Sequence, residues 1–259
     1  MELFMIFDTH AHYDDEAFNE DRDNLIRTLE KEGICRVVNV ASGMSSCLSS
    51  IELARDYPFF YAAVGVHPAE IDELTESDMK LIQGYCDLEK VVAIGEIGLD
   101  YHYPDINIEE QKEFFVRQMT IARAKKKPVI IHSRDAAVDT MDIMRAEHAG
   151  DVGGVIHCYS YSYEMAKEYV NMGFYIGIGG VVTFKNAKKL KECAEKLPLE
   201  SIVIETDCPY LAPEPNRGSR NSSLNLKYVV NTIASIRGIT AEEVEEQTWK
   251  NASRLYNLD

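Results

Sequence analysis

The sequence predicts an α/β protein folded as a (β/α)8 TIM barrel, one domain spanning residues 1–259. Three observations lead there. Short apolar runs alternate eight times with amphipathic stretches, as parallel βαβ units do. The length of 259 residues is close to what one such barrel needs, about 250. Five of the seven histidines lie at the C-terminal ends of the expected strands, where a barrel collects its chemistry. An open doubly wound sheet is the alternative. It usually carries a Gly-rich turn after its first strand, and here that place holds His10 and His12.

Leu3 to Phe7 reads as a short buried first strand, leading into "FDTHAHYD". Strand residues alternate faces, so Asp8, His10 and His12 are expected on one face near its end. A helix is expected over Asn19–Lys31, a β-branched strand over Cys35–Val40 and a helix over Ser45–Asp56. The third strand, Phe59–Val66, ends in "VGVHP" with His67. Thr75–Leu88 reads as a helix with Glu76 and Asp78 near its electropositive start. The fourth strand, Val91–Ile94, runs into "IGEIGLDYHY", where Glu96 reads as part of a Gly-flanked turn. Glu109–Lys125 is a long helix stopped by Pro128. Val129–Ile131 is the fifth strand, followed by "HSRD" with His132 and Arg134, then a helix through Met144. The sixth, Gly153–Ile156, leads to His157 in "VIHCYS" and a helix over Ser162–Asn171. The seventh, Phe174–Ile178, precedes a helix over Lys185–Glu195. The eighth, Ile202–Ile204, runs into "ETDCPYLAP" with Glu205 and Asp207. A loop rich in Pro, Gly and Asn follows, then helices over Leu224–Ile236 and Ala241–Asn257. No linker, low-complexity tract or sequence-identical repeat divides the chain.

Composition removes some function classes. Lys plus Arg is 27 and Asp plus Glu is 43, a net charge of −16, which argues against a broad basic surface for coating nucleic acid or an anionic membrane. It leaves room for an enzyme handling phosphates in a metal-filled pocket, where the ion's own charge dominates. No stretch is long and apolar enough to cross a membrane. No signal peptide is recognisable at the N-terminus, so a cytoplasmic location is expected. Six cysteines without a CxxC pair read as free thiols, and Cys158 and Cys208 as packing residues beside candidate ligands.

Each candidate residue has a bland reading. His67 could cap a loop before Pro68, Asp207 could cap a turn, and Arg134 could pair with Asp135 or Asp139. His132 and His157 could be buried rings satisfied by backbone, and Glu96 a surface acid. One barrel mouth collecting all of them is what makes the bland readings jointly improbable. His102 and His148 do not fit the pattern and are left out. Four histidines and two carboxylates exceed a single catalytic zinc site with its three protein ligands. The set suits two ions, with Glu96 best placed to bridge them, and paired cations can activate water for displacement at a phosphoryl or carbonyl group.

The stretches "FDTHAHYD", "VGVHP", "AIGEIGLDY", "PVIIHSRDA", "IETDCPYLAP" and "RGSRN" make the chain similar to the TatD family of metal-dependent deoxyribonucleases, within the amidohydrolase-like barrels. The resemblance runs from residue 7 to residue 221. It implies two divalent ions (Mg, Mn, Zn or similar) held by His10, His12, Glu96, His132, His157 and Asp207, and removal of nucleotides from a DNA end. His10, His12 and Asp207 are expected to complete one ion site with Glu96, and His132 and His157 the other. Asp207 is expected to take the proton of the attacking water. Arg134, Arg217, Arg220 and His67 are expected to hold substrate phosphates, an unpaired strand end fitting a narrow barrel mouth. No protein partner is indicated. The sequence departs from the family pattern at Tyr13, usually aliphatic, and at Ser222 and Ser223, where Glu-Pro is common.

Two rival functions remain. An amidase, lactonase or phosphotriesterase on the same barrel often bridges its metals with a carboxylated lysine after strand four, a place that here reads "GEIG". A metal-binding scaffold without turnover would not need the complete ligand set.

Overall fold

Runs of Val, Ile and Phe bounded by Gly, Pro or turn residues become strands, and the amphipathic stretches between them become helices. The computed structural model describes residues 5–72, 74–105 and 107–258. The strands are β1 (Ile6–Ala11), β2 (Ile34–Val40), β3 (Phe60–Val64), β4 (Val91–Asp100), β5 (Val129–Arg134), β6 (Gly154–Ile156), β7 (Phe174–Ile178) and β8 (Ile202–Ile204). They form one parallel sheet in chain order. The helices are α1 (Arg22–Lys31), α2 (Met44–Asp56), α3 (Glu76–Tyr85), α4 (Ile108–Lys125), α5 (Ala137–Ala146), α6 (Tyr163–Asn171), α7 (Lys188–Lys196), α8 (Leu226–Arg237) and α9 (Ala241–Tyr256). Seven lie between successive strands and two follow β8, so the predicted (β/α)8 barrel is the fold found. No helix among the described residues is long and apolar enough to cross a membrane.

Two apolar layers hold it. The larger joins the strands to the surrounding helices. The smaller gathers Phe7, Val38, Val40, Ile130, Val155 and Val203 with Ala252, Leu255 and Tyr256 of α9. The second helix after β8 therefore serves the barrel itself, and Tyr256 donates its hydroxyl to the Thr9 carbonyl at 2.8 Å.

The ring closes between β1 and the segment after β8. Ala11 pairs with Cys208 in parallel. Asp207 N–H donates to His10 O at 2.9 Å, and His12 N–H to Cys208 O at 2.8 Å. Asp8 is buried in this seam, accepting from Thr206 N–H (3.1 Å), Thr206 Oγ1 (2.7 Å) and Ser223 Oγ (2.6 Å). Burial pushes its carboxyl up to about 7 in spite of these donors.

The strand bounds differ from expectation where the chemistry sits. β1 is found later than predicted and includes His10, while Leu3 and Phe4 lie outside the described residues. A register irregularity between Asp8 and Ala11 breaks the alternation, so Asp8 faces the seam and does not share a face with His10 and His12. β4 does not stop at Ile94, and Glu96 lies within the strand rather than in a turn. Its glycines permit close approach to β5: a Cβ on Gly98, at φ +142, would meet His132 O at 2.0 Å. β5 likewise extends through His132 and Arg134.

The two departures from the resembled pattern meet each other. Tyr13 is fully buried, and its hydroxyl lies 2.8 Å from Ser223 Oγ and accepts the Ser223 N–H at 2.9 Å. A proline at 223 has no N–H to give. An aliphatic residue at 13 would need none. Tyr13→Leu and Ser223→Pro should each cost about 1–3 kcal/mol by leaving buried polar groups unpaired. The double variant should recover about 0.5 kcal/mol or more relative to the sum. Urea unfolding of the four proteins checks this, and strictly additive costs would mean that the positions are independent.

Candidate metal centre

Closure of the barrel brings the strand ends to one mouth, and Glu96 occupies its centre with 4 % of its surface exposed. Its two oxygens face different partners. Oε2 lies 3.4 Å from His10 Nε2 and 3.8 Å from His12 Nε2. Oε1 lies 2.7 Å from His132 Nδ1 and 2.9 Å from His157 Nε2. Asp207 Oδ1 joins the first side, 3.3 Å from His12 Nε2 and 3.7 Å from His10 Nε2. His10, His12 and Glu96 form one group with ligand atoms within 4.8 Å of one another, and Glu96, His132 and His157 another. All six residues expected as ligands are thus brought together, with Glu96 common to both groups.

The donor set fits divalent cations. Imidazoles and carboxylates suit Zn or Mn, and a carboxylate with one oxygen toward each group suits a bridge. The outer ring atoms support this. His12 Nδ1 is 2.7 Å from Val40 O, so it carries the proton and leaves the Nε2 lone pair facing the cluster. No cysteine belongs to either group, and all six are free thiols.

Charge is arranged to match. Burial opposes ionisation of Glu96, but His157, His10 and His132 outweigh it and hold its carboxyl well below the usual range. Burial also opposes charge on His12, yet Asp207 and Glu96 raise its pKa to about 9. His157, between Glu96 and Glu205, is held well above the ordinary histidine value against the same burial. Asp207 is kept ionised by His12 and its neighbouring rings, again against burial. Protons on rings occupy the positions that a cation would take.

His67 stands at the edge of this cluster, Nε2 3.9 Å from Glu96 Oε1. Its Nδ1 accepts the Ala69 N–H at 3.0 Å, capping a short helical turn. The ring proton therefore sits on Nε2, and His67 faces the mouth as a donor. Burial lowers its pKa to about 4, which keeps it neutral. The expected substrate cations differ among themselves. Arg134 is exposed with its guanidinium 6.0 Å from the Tyr103 ring centroid. Arg217, also exposed, lies over Phe184 at 4.3 Å with Glu214 Oε1 at 4.0 Å from its Nη1. Arg220 is instead committed to Asp21 at 2.6 Å and to Ala17 O at 2.7 Å, tying the loop after β8 to the start of α1. A guanidinium so engaged is not free for a phosphate.

Two acids were not assigned a role from sequence. Asp100 Oδ2 lies 3.2 Å from His132 Nε2, and Glu205 Oε1 lies 3.4 Å from His157 Nδ1. Asp100 was hidden because β4 was read as ending six residues earlier. Glu205 stands two residues before Asp207, the spacing that marked His10 and His12.

Comparison with known proteins gives the same architecture a family. Residues 7–257 match the family described as TatD related DNase. The chain is 42% identical over 255 residues to an uncharacterised metal-dependent hydrolase, YabD, of Bacillus subtilis, covering 98% of this chain and 100% of that one. It is 35% identical to the uncharacterised metal-dependent hydrolase YcfH of Escherichia coli K12, covering 99% and 97%. Among solved structures it is similar to YJJV, a TatD homolog of Escherichia coli K12, with a TM-score of 0.94, 28% identity and coverage of 99% and 100%. The chain belongs to the TatD-related family and is a metal-dependent hydrolase.

A divalent cation must displace the protons that His12 and His157 carry, so binding should release protons and strengthen with pH. Zinc affinity should rise by about tenfold or more between pH 6.5 and 8, below the value of about 9 held by His12. Calorimetry in buffers of different ionisation enthalpy checks this. Affinity independent of pH, with no proton release, would contradict it.

Proposed function

We propose that this TatD-family hydrolase cleaves phosphodiester bonds of DNA at unpaired strand ends, with two divalent ions bridged by Glu96. The observation that carries the reading is the division of the Glu96 oxygens, Oε2 toward His10 and His12 and Oε1 toward His132 and His157. His10, His12 and Asp207 would hold one ion with Glu96, and His132 and His157 the other. When bound, such a pair supplies Lewis acidity to a phosphoryl oxygen and lowers the pKa of water.

The chain's own residues do the rest. Asp207, ionised and 19 % exposed on its side chain, is the group that takes a proton from the attacking water. His67 donates its Nε2–H to a non-bridging phosphoryl oxygen, a role its tautomer favours over ligation. Arg134 and Arg217, held over Tyr103 and Phe184, grip the neighbouring phosphates. Of the three arginines, Arg220 is engaged by Asp21, which leaves Arg134 and the loosely paired Arg217 for this grip. A grip of so few arginines suits a free single strand better than the middle of a duplex. The family's description as DNases supports DNA as substrate.

A ligand that serves both ions cannot be spared. Glu96→Ala should lower turnover by more than about 100-fold at saturating metal, whereas the exposed His148→Ala should leave it unchanged. Labelled DNA, RNA and small esters assayed side by side test the substrate. Turnover of esters or amides alone would favour the amidohydrolase-type reading. Near wild-type turnover in Glu96→Ala would remove the bridge. Two phosphate contacts on single-stranded DNA predict a slope of log affinity against log salt of about −1.4. A slope near −5, or tighter binding to duplex interiors, would require an extended DNA surface instead.

A further inference from the structure

Each of the four histidines around Glu96 turns one nitrogen inward and leaves the other to find a partner. His12 and His132 find theirs in Val40 O and Asp100. His10 and His157 are different. Their rings are stacked with centroids 3.8 Å apart and planes at 17°, and both residues are buried. Among the described residues, the Nδ1 atoms of both have no hydrogen-bond partner, and neither does Oε2 of Glu205. His10, His157 and Glu205 offer ligand-type atoms within 4.8 Å of one another, and Glu205 Oε1 is 3.4 Å from His157 Nδ1.

These three orphans complement each other in one protonation pattern only. Two N–H groups beside a carboxylate attract, while two lone pairs beside a carboxylate repel. A neutral imidazole has a single lone pair. If it faces Glu96 from Nε2, Nδ1 must carry the proton and needs an acceptor. The same count argues against a third cation among these residues, since no ring has a second lone pair to offer.

We infer that Glu205 is a positioning residue, whose buried carboxylate keeps the protons of both His10 and His157 on Nδ1 and so aims both Nε2 lone pairs at the Glu96 cluster. The inference rests on the metal reading above and adds to it a residue that reaches the ions only through the two rings. The carboxylate is held for this task. Oε1 accepts the Cys158 N–H at 2.5 Å, from a residue at φ +45. On β7, Gly177 makes the room: a Cβ there would lie 2.5 Å from Glu205 Oε2 and 2.8 Å from its carboxyl carbon. Any side chain at 177 pushes the carboxylate off its position.

The test begins with the wild-type protein labelled with ¹⁵N-histidine and loaded with zinc. Imidazole ¹H–¹⁵N correlation spectra should show His10 and His157 protonated on Nδ1 and metallated on Nε2. Zinc competition against a chelator should then show about 10-fold weaker binding for Glu205→Gln, which can accept from one ring but not both. Glu205→Ala should lose about 100-fold, and Gly177→Ala should weaken binding in the same direction without touching a ligand. His157 found with its proton on Nε2 in the loaded wild type would overturn the inference while leaving the metal centre standing. So would wild-type zinc affinity in both Glu205→Gln and Gly177→Ala. Failure of zinc to bind at these rings would overturn the metal reading and this inference together.

Discussion

A carboxylate buried at the mouth of a barrel has to be surrounded by cations or donors, and Glu96 imposes that demand on everything around it. An unpaired charge at this depth would cost several kcal/mol. Each oxygen therefore has its own partners, drawn from β1 and the residue just after it, from β5 and from the end of β6. Those rings are themselves largely buried, so the demand moves outward one step. His12 leans on the β2 backbone, His132 on Asp100 at the end of β4, and His67 on the Ala69 N–H. One carboxylate thus organises contacts among most of the strands, and its environment is set by protons that can be exchanged for metal.

The bonds that close the barrel are the same bonds that assemble the site. His10 O and Cys208 O accept from backbone on opposite sides of the seam, and this sets Asp207 against His10 and His12. Asp8 reinforces the seam through Thr206 and Ser223. Ser223 in turn answers Tyr13, and Arg220 ties the same loop to Asp21. The loop after β8 is therefore a structural clasp on β1. Changes in it act on the geometry of the histidine pair without touching it.

Much of this is legible in the sequence, and the parts that are not have a common cause. β7 and β8 are read to the residue, because each is a short apolar run cut off sharply at both ends. β1, β4 and β5 are read short, because a strand that ends inside a polar site stops looking like a strand once its residues are His, Glu and Asp. The six residues expected as ligands still meet at one mouth, since their position after an apolar run is informative whichever side of the boundary they fall. Asp100 does not survive it, and neither does the face assigned to Asp8. Alternation can be counted only while the register holds, and it fails between Asp8 and Ala11. Pairings across 199 residues, such as Arg220 with Asp21, have no local signal at all.

Paired cations activate water toward phosphoryl and carbonyl groups alike, so on the proposed reading substrate choice falls to the rim. There the acidic composition is a real constraint. A net charge of −16 makes the chain as a whole repel a polyanion. Screening limits how far that repulsion reaches, to about 8 Å at physiological ionic strength. Within that distance the nearest charges decide: Arg134 lies over the Tyr103 ring, while Arg217 lies over Phe184 and also has Glu214 Oε1 at 4.0 Å. At Arg134 the ring keeps the guanidinium in place without neutralising it, which a carboxylate partner would do, as Asp21 does for Arg220. On the proposed reading, the net acidic charge therefore limits how much of a strand can be held, while leaving the entry of a single phosphate to local contacts.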